Sequence, residues 1–186
     1  MSTFIVDGTE AQQHGDVGRA FCRLCAYCSY LKIDIVRIIE LGTGSGGLTA
    51  WLARTFAACK IVTYDHTEPP FLDVLIKMGI ECRHADVFSQ ASEVAHRIAM
   101  PGGTLLLCDG GSKVQEVRRF ARYLKGGDIV MAHDYRPTKT SPAFWRSCEI
   151  IEADIAATCK RYRLKPILQD VMLRVGWLSR IKETEV

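Results

Sequence analysis

The sequence lacks any apolar run approaching the roughly 20 residues that a bilayer-spanning helix needs, so no membrane partner is expected. It has no internal repeat, no low-complexity tract and no linker. It also lacks a strong charge of either sign. Against 21 Asp and Glu stand 24 Lys and Arg, a formal net charge of +3, and the basic residues are scattered, which argues against a nucleic-acid partner. The opening segment, MSTFIVDGTEAQQHGD, carries acids and has no basic stretch followed by a long apolar one, so a secretory leader is not expected and a cytoplasmic location is. In that setting the eight cysteines read as reduced thiols packed as small hydrophobes rather than as a disulfide framework.

What is present is the composition of a globular protein. With 48% hydrophobic and 24% charged residues, the 186-residue chain is long enough for one core and too short for two ordinary domains. A single domain over residues 1–186 is expected, with residues 1–15 as an N-terminal arm. Val17, Phe21, Leu24, Cys25, Cys28 and Leu31 recur at intervals of three and four, the stripe of a packed helix. Residues 35–41 form a continuous apolar strand, a glycine turn follows, and 48–56 are again helical in pattern. The spacing then predicts strands over 60–64, 80–84, 104–108 and 128–132, separated by helices over 71–78, 90–99 and 114–124. Beyond a proline-containing loop, residues 143–161 read as a helix and 166–180 as two short strands, the last spanning 172–181.

Buried strands alternating with helices imply a parallel sheet covered on both faces, whose ligands bind beyond the carboxyl ends of the strands. Those ends carry the informative residues: the glycine turn, then Asp65, then Asp86, then Asp109, then His133 and Asp134. Gly42, Gly44 and Gly47 fit G-x-G-x-x-G, in which missing side chains let the turn approach a ligand and the next helix offers its amides. Asp65, at the end of the next strand, is placed to accept ribose hydroxyls. The pattern suits an adenosine cofactor, and two enzymes share it: a nicotinamide dehydrogenase and an S-adenosylmethionine enzyme. Glu40 separates them. A carboxylate two residues before Gly42 opposes a pyrophosphate but suits a ligand carrying an amino group and a sulfonium. A cofactor-binding protein without an acceptor site is the non-enzyme alternative.

ELGTGSGG at 40–47 resembles motif I of class I S-adenosylmethionine-dependent methyltransferases, and YDH at 64–66 resembles their acidic ribose-binding motif. ADVF at 85–88 sits where that family places an acid near the adenine, and PGGTLLLCDGG and LKGGDIVMAHDY match its fourth and fifth strands. The likeness covers about residues 35–135. It implies an α/β fold, the Rossmann-like class I methyltransferase fold, a three-layer sandwich with a seven-stranded mostly parallel sheet and the last strand antiparallel. It also implies S-adenosylmethionine as cofactor, held by Glu40, Gly42, Thr43, Gly44, Ser45, Gly46, Asp65, His66, Asp86, Val87 and Asp109.

The pattern at Asp109, His133 and Asp134 is similar to that of the metal-dependent O-methyltransferases of the catechol, macrocin and cephalosporin-hydroxylase-like groups. The resemblance implies a divalent metal at these three residues and methyl transfer to a hydroxyl of a small-molecule acceptor. His133 departs from the acid or amide usual there and would favour Mn²⁺ or Fe²⁺ over Mg²⁺. The plainer alternatives stay open: Asp109 bonding only the glycine turn, His133 a strand-end histidine, Asp134 a loop cap. Asp109, His133 and Lys113 are the candidate catalytic groups. Lys113 resembles the lysine near the metal in the catechol-type enzymes with the spacing off by one, although a lone lysine at a helix start is ordinarily solvated.

Three further features weigh less. Cys22, Cys25 and Cys28 form C-x-x-C-x-x-C, but on a helix steps of three rotate the thiols away from one another, so core packing is the stronger reading. The polar stretch of Gln12, Gln13 and His14 resembles a cofactor-adjacent segment of the cephalosporin-hydroxylase-like group, or is a solvated arm. Tyr135 and Trp145 could line an acceptor pocket or belong to the core. A homo-oligomer in which a neighbouring subunit closes the site is compatible with a domain of this size.

Overall fold

The computed structural model describes residues 4–6, 8–140 and 148–184. In chain order the elements are β1 (Phe4–Val6), β2 (Thr9–Ala11), α1 (Val17–Tyr30), β3 (Ile35–Leu41), α2 (Gly47–Thr55), β4 (Lys60–Asp65), α3 (Leu72–Lys77), β5 (Glu81–His84), α4 (Ala91–Ala99), β6 (Gly103–Cys108) and α5 (Lys113–Phe120). There follow β7 (Ile129–Ala132), β8 (Tyr135–Arg136), β9 (Ile150–Ile151), α6 (Glu152–Arg161), β10 (Leu164–Pro166), α7 (Gln169–Leu173) and β11 (Leu178–Lys182). No helix among the described residues is long and apolar enough to cross a membrane.

Seven strands form the central sheet in the order β10-β11-β7-β6-β3-β4-β5. The five central and right-hand strands, β7 through β5, run parallel, and β11 is antiparallel to both of its neighbours. The sheet is a layer because its central strands are apolar on both faces and successive side chains alternate between them. Ile38, Leu105, Leu107, Ile129 and Met131 pack with α1, α2 and α3 and with Trp177; Ile39, Leu41, Leu106, Cys108 and Val130 pack on the other side with α4, α5 and α6. This is the expected three-layer sandwich with a seven-stranded mostly parallel sheet and its last strand antiparallel. The chain winds from β3 outward to β5, then returns to β6 on the opposite side of β3. The carboxyl ends of β3 and β6 therefore flank a switch in strand order, where a crevice opens.

Several expectations from the sequence are corrected. The helix expected over 143–161 begins only at Glu152, since Ile150 and Ile151 pair with β8 as a short strand and the Ile151 amide donates to the Asp154 carboxylate at 3.0 Å, starting the helix there. Residues 141–147, Trp145 among them, lie outside the described residues. In place of two strands over 166–180, the chain forms β10, the helix α7 and β11. Leu31 is 46% exposed, because α1 ends at Tyr30 and Lys32 turns the chain with φ of 56°. Among the described residues the arm is partly packed: β1 and β2 pair as a hairpin, and Thr9, Ala11 and Gln13 are buried while Ile5, Glu10 and Gln12 are exposed. Of the three spaced cysteines, Cys22 is exposed, Cys25 partly buried and Cys28 buried, and all eight cysteines are free thiols.

Candidate functional site

A cleft of about 690 Å³ lies over the carboxyl ends of β3, β4, β6 and β7. Its floor is the glycine turn after β3. The turn is pinned to both neighbouring strands, Gly42 N–H donating to the Tyr64 carbonyl at 2.8 Å and the Asp109 amide to the Leu41 carbonyl at 2.8 Å. Gly42 has φ of 100°, and a Cβ there would lie 2.3 Å from the Asp109 carbonyl oxygen. Gly47 is bare for another reason: its Cβ would lie 2.3 Å from backbone atoms of Glu10 and Ala11, so the N-terminal hairpin sits directly on the start of α2. That contact makes Glu10, Ala11, Gln12 and Gln13 one wall of the cleft.

Glu40 is 1% exposed and its Oε2 accepts from the Thr49 hydroxyl at 2.5 Å and the Thr63 hydroxyl at 2.7 Å. Burial pushes its carboxyl up to about 8; the two hydroxyl bonds work against that rise, and the charges of Asp109 and Asp65 add to it. Asp65 behaves oppositely. Partial burial disfavours its charge, but hydrogen bonds from Thr67 and Gly44, together with the neighbouring His66, hold it below the usual carboxylate range. Its Oδ2 accepts the Gly44 amide at 2.9 Å, tying the second strand end to the turn. His66 is largely exposed, 3.4 Å from Asp65. Asp86 caps its own loop through the Phe88 amide at 3.1 Å, and with Val87 it lines the far end of the cleft. All eleven residues expected at the cofactor thus face one cleft.

At the near end, Asp109, His133 and Asp134 each offer a donor atom within 4.8 Å of the others, and no other such group of three occurs among the described residues. His133 Nδ1 is 3.0 Å from Asp109 Oδ1. A carboxylate only accepts, so Nδ1 carries the hydrogen. Burial disfavours the imidazolium, yet the charge and hydrogen bond of Asp109 and the charge of Asp134 outweigh it and raise the His133 pKa, with Lys113 pulling the other way. Asp134 has φ of 56°, a left-handed conformation uncommon for any residue but glycine, asparagine and aspartate.

Lys113, expected in solvent, is 5% exposed. Its Nζ donates to the Gly110 carbonyl at 3.1 Å and to Glu149 at 2.8 Å, and lies 3.3 Å from Asp134 and 3.8 Å from Asp109. Burial favours the neutral amine, but the carboxylates reverse that and raise its pKa, so Lys113 is a fixed positive charge. Three carboxylates (Asp109, Asp134, Glu149) against one ammonium leave the cluster with two negative charges when His133 is neutral.

Glu149, Gln13, Trp177 and Glu116 belong to this site although sequence patterns did not single out all of them. Glu116 is buried beneath the 110–112 loop and accepts the Ser112 and Gly110 amides; burial pushes it up to about 7. An acid in the first turn of the helix is the available signal for it. Trp177 and Glu149 are brought in by long-range pairing, for which local spacing gives no sign. Tyr135 is buried against the sheet and bonds Glu152 at 2.7 Å, away from the cleft.

The sequence matches no protein-family model and no curated protein. Its structure is similar to several solved ones. The S-adenosylmethionine-dependent methyltransferase SibL aligns with TM-score 0.57 at 12% identity over 89% of this chain and 54% of its own. The chain thus spans about half of that protein. The N-terminal domain of EvdMO1, solved in the presence of S-adenosylhomocysteine and D-fucose, aligns with TM-score 0.58 at 15% identity over 100% of this chain and 91% of its own. The sugar N-methyltransferase KedS8 from Streptoalloteichus aligns with TM-score 0.53 at 11% identity over 98% of both chains.

Proposed function

We propose that this chain, whose fold is that of the class I S-adenosylmethionine-dependent methyltransferases, transfers a methyl group from S-adenosylmethionine to a hydroxyl oxygen of a small molecule. The observation that carries the reading is the division of one cleft into two ends. At one end Glu40, the glycine turn and Asp65 offer a carboxylate for a cationic ligand, bare backbone for close approach and an ionised acceptor for ribose hydroxyls. At the other end the Asp109, His133 and Asp134 cluster, with its excess negative charge, offers groups that would take an acceptor's proton or hold a metal.

Methyl transfer is an in-line displacement at a carbon already activated by the sulfonium, so the protein's work is alignment and removal of the acceptor's proton. With no metal bound, the Asp109–His133 pair, joined through Nδ1–H, is the candidate proton acceptor; with one bound, His133 would be a ligand instead. Lys113 is held protonated by three acids; it sets the charge of the cluster and holds Asp134 in place rather than acting as base. This reading favours oxygen over nitrogen acceptors, since a hydroxyl must be deprotonated to attack whereas a neutral amine already carries its lone pair.

The carboxylate, imidazole and carboxylate donors within 4.8 Å of one another, and their unbalanced negative charge, fit a divalent ion. Asp109, His133 and Asp134 would hold it, and it would supply Lewis acidity that eases deprotonation of the acceptor. The imidazole favours Mn²⁺ or Fe²⁺ over Mg²⁺. Lys113 supplies part of the same charge without a metal, so ion and ammonium share the role.

Calorimetry should show binding of S-adenosylhomocysteine and none of NAD; the reverse result removes the reading in favour of a dehydrogenase. Addition of Mn²⁺ should raise the melting temperature of the wild type. In Asp134→Asn, which keeps the preference for left-handed backbone, that rise should vanish. A rise of equal size in both proteins would remove the metal from the proposal.

A further inference from the structure

We propose that Gln13 is a positioning residue for the transfer, fixing Asp109 directly and His133 through Trp177. The inference rests on the function proposed above. Gln13 comes from the N-terminal arm, Asp109 follows β6, His133 follows β7 and Trp177 precedes β11, so four separate segments meet at one point. Gln13 is 5% exposed, and its amide is engaged at both ends. Nε2 donates to Asp109 Oδ2 at 2.8 Å, and Oε1 accepts the Trp177 indole N–H at 3.1 Å.

The chemistry permits a single amide orientation. An indole only donates and a carboxylate only accepts, so a flipped amide would set acceptor against acceptor at Asp109 and donor against donor at Trp177. The two Asp109 oxygens are then divided, Oδ2 to Gln13 and Oδ1 to His133 Nδ1 at 3.0 Å, which blocks rotation of the carboxylate. Trp177 is fully buried, wedged edge-on against Phe21 with centroids 5.6 Å apart. It also stacks on the His133 ring, at 4.9 Å with 29° between the planes. The imidazole is thus held in its plane by Asp109 and across its face by Trp177, and Gln13 bonds both supports. Buried glutamine costs stability unless its hydrogen bonds are made, so a side chain needed only to fill space here would be apolar. An isolated hydrogen-bonding role in the arm would not require both partners to touch His133.

Gln13→Met keeps the length of the side chain and deletes both bonds. Three readouts separate positioning from packing. In ¹H–¹⁵N spectra the Trp177 indole signal, identified by its loss in Trp177→Phe, should move upfield in Gln13→Met as its acceptor is removed. The His133 imidazole, identified by the loss of its signal in His133→Asn, should change from the Nδ1–H tautomer to a mixture. Affinity for Mn²⁺ should fall about 10- to 100-fold, the usual effect of removing a group that orients a metal ligand, and by more than affinity for S-adenosylhomocysteine falls. Unchanged indole and imidazole signals in Gln13→Met overturn the proposal, as does a loss of cofactor affinity equal to the loss for Mn²⁺. If Gln13→Met fails to fold, Trp177→Phe carries the test: it keeps a ring beneath His133 and deletes one of the two bonds orienting the amide, and it should shift the same tautomer to a smaller extent. A wild type that binds no Mn²⁺ removes the metal from the proposed function, and the tautomer then decides the role of Gln13 alone.

Discussion

Gly42→Ala should abolish detectable binding of S-adenosylhomocysteine and lower the melting temperature by several degrees, measured by calorimetry and thermal unfolding. A Cβ at Gly42 would lie 2.3 Å from the Asp109 carbonyl oxygen, 2.5 Å from its carbonyl carbon and 2.7 Å from the Gly110 nitrogen, all backbone atoms. Relief requires β3 and β6 to move apart at their carboxyl ends, which shifts the floor of the cleft and Asp109 together. To this is added the cost of φ at 100° for a residue with a side chain. Together these are worth about 3 kcal/mol or more, which for a chain of this size is a fall of roughly 6–12 °C. Gly44→Ala is the control. It has φ of 52° but open space around its Cβ, so it carries strain without collision and should cost about 1 kcal/mol. Equal effects from the two substitutions would show that backbone strain, and not the collision with Asp109, governs the turn.

The second large effect belongs to Glu40 and depends on pH. Its buried carboxyl, pushed up to about 8, keeps its proton in the folded protein near neutrality. Between its ordinary 4.5 and about 8 the unfolded chain releases that proton and the folded one does not, so the group opposes folding increasingly as pH rises across that window. Binding reverses the preference. S-adenosylmethionine brings a sulfonium and an ammonium, which favour the carboxylate, so binding at pH 7 should expel close to about one proton. Affinity should therefore climb with pH and level off above about 8. Calorimetry in buffers of different ionisation heat measures the release directly. Glu40→Gln retains an acceptor for Thr49 and Thr63 but should eliminate the release and weaken S-adenosylmethionine binding about 10- to 100-fold. Proton release that persists in Glu40→Gln would assign the titration to another group.

How much of this was legible in the sequence follows from the range of the forces involved. Strands β3, β4, β6 and β7 could be read because each is a short, largely apolar run ending at a glycine, an acid or His133, a signal contained within a few residues. α6 starts later than the spacing predicts because the β-branched Ile150 and Ile151 pair with β8 as a strand; the acids Glu152 and Asp154, which favour a helix N-terminus, are the local sign that it begins there. The helix α7 has five residues, too few for a periodicity to declare itself. Lys113 shows the limit most clearly. Its spacing from Asp109 marked it as a candidate, but its burial depends on Glu149, 36 residues away, and on Asp134. Gln13 stands in a polar stretch that reads as solvated or cofactor-adjacent, and partners 96 and 164 residues distant give it a buried role.

The position of β11 constrains when the site comes into being. During synthesis β7 and β10 are both made before it, yet neither can join the other, because the strand that lies between them has not emerged. Each waits with an unpaired edge, and the ring that backs His133, one residue ahead of β11, arrives with the missing strand. The turn around Gly42 needs only β3, β4 and β6 to take shape. Assembly is therefore staged: the floor of the cleft can form once β6 is made, and the surroundings of the Asp109, His133 and Asp134 cluster are completed only after Trp177 and β11 have followed.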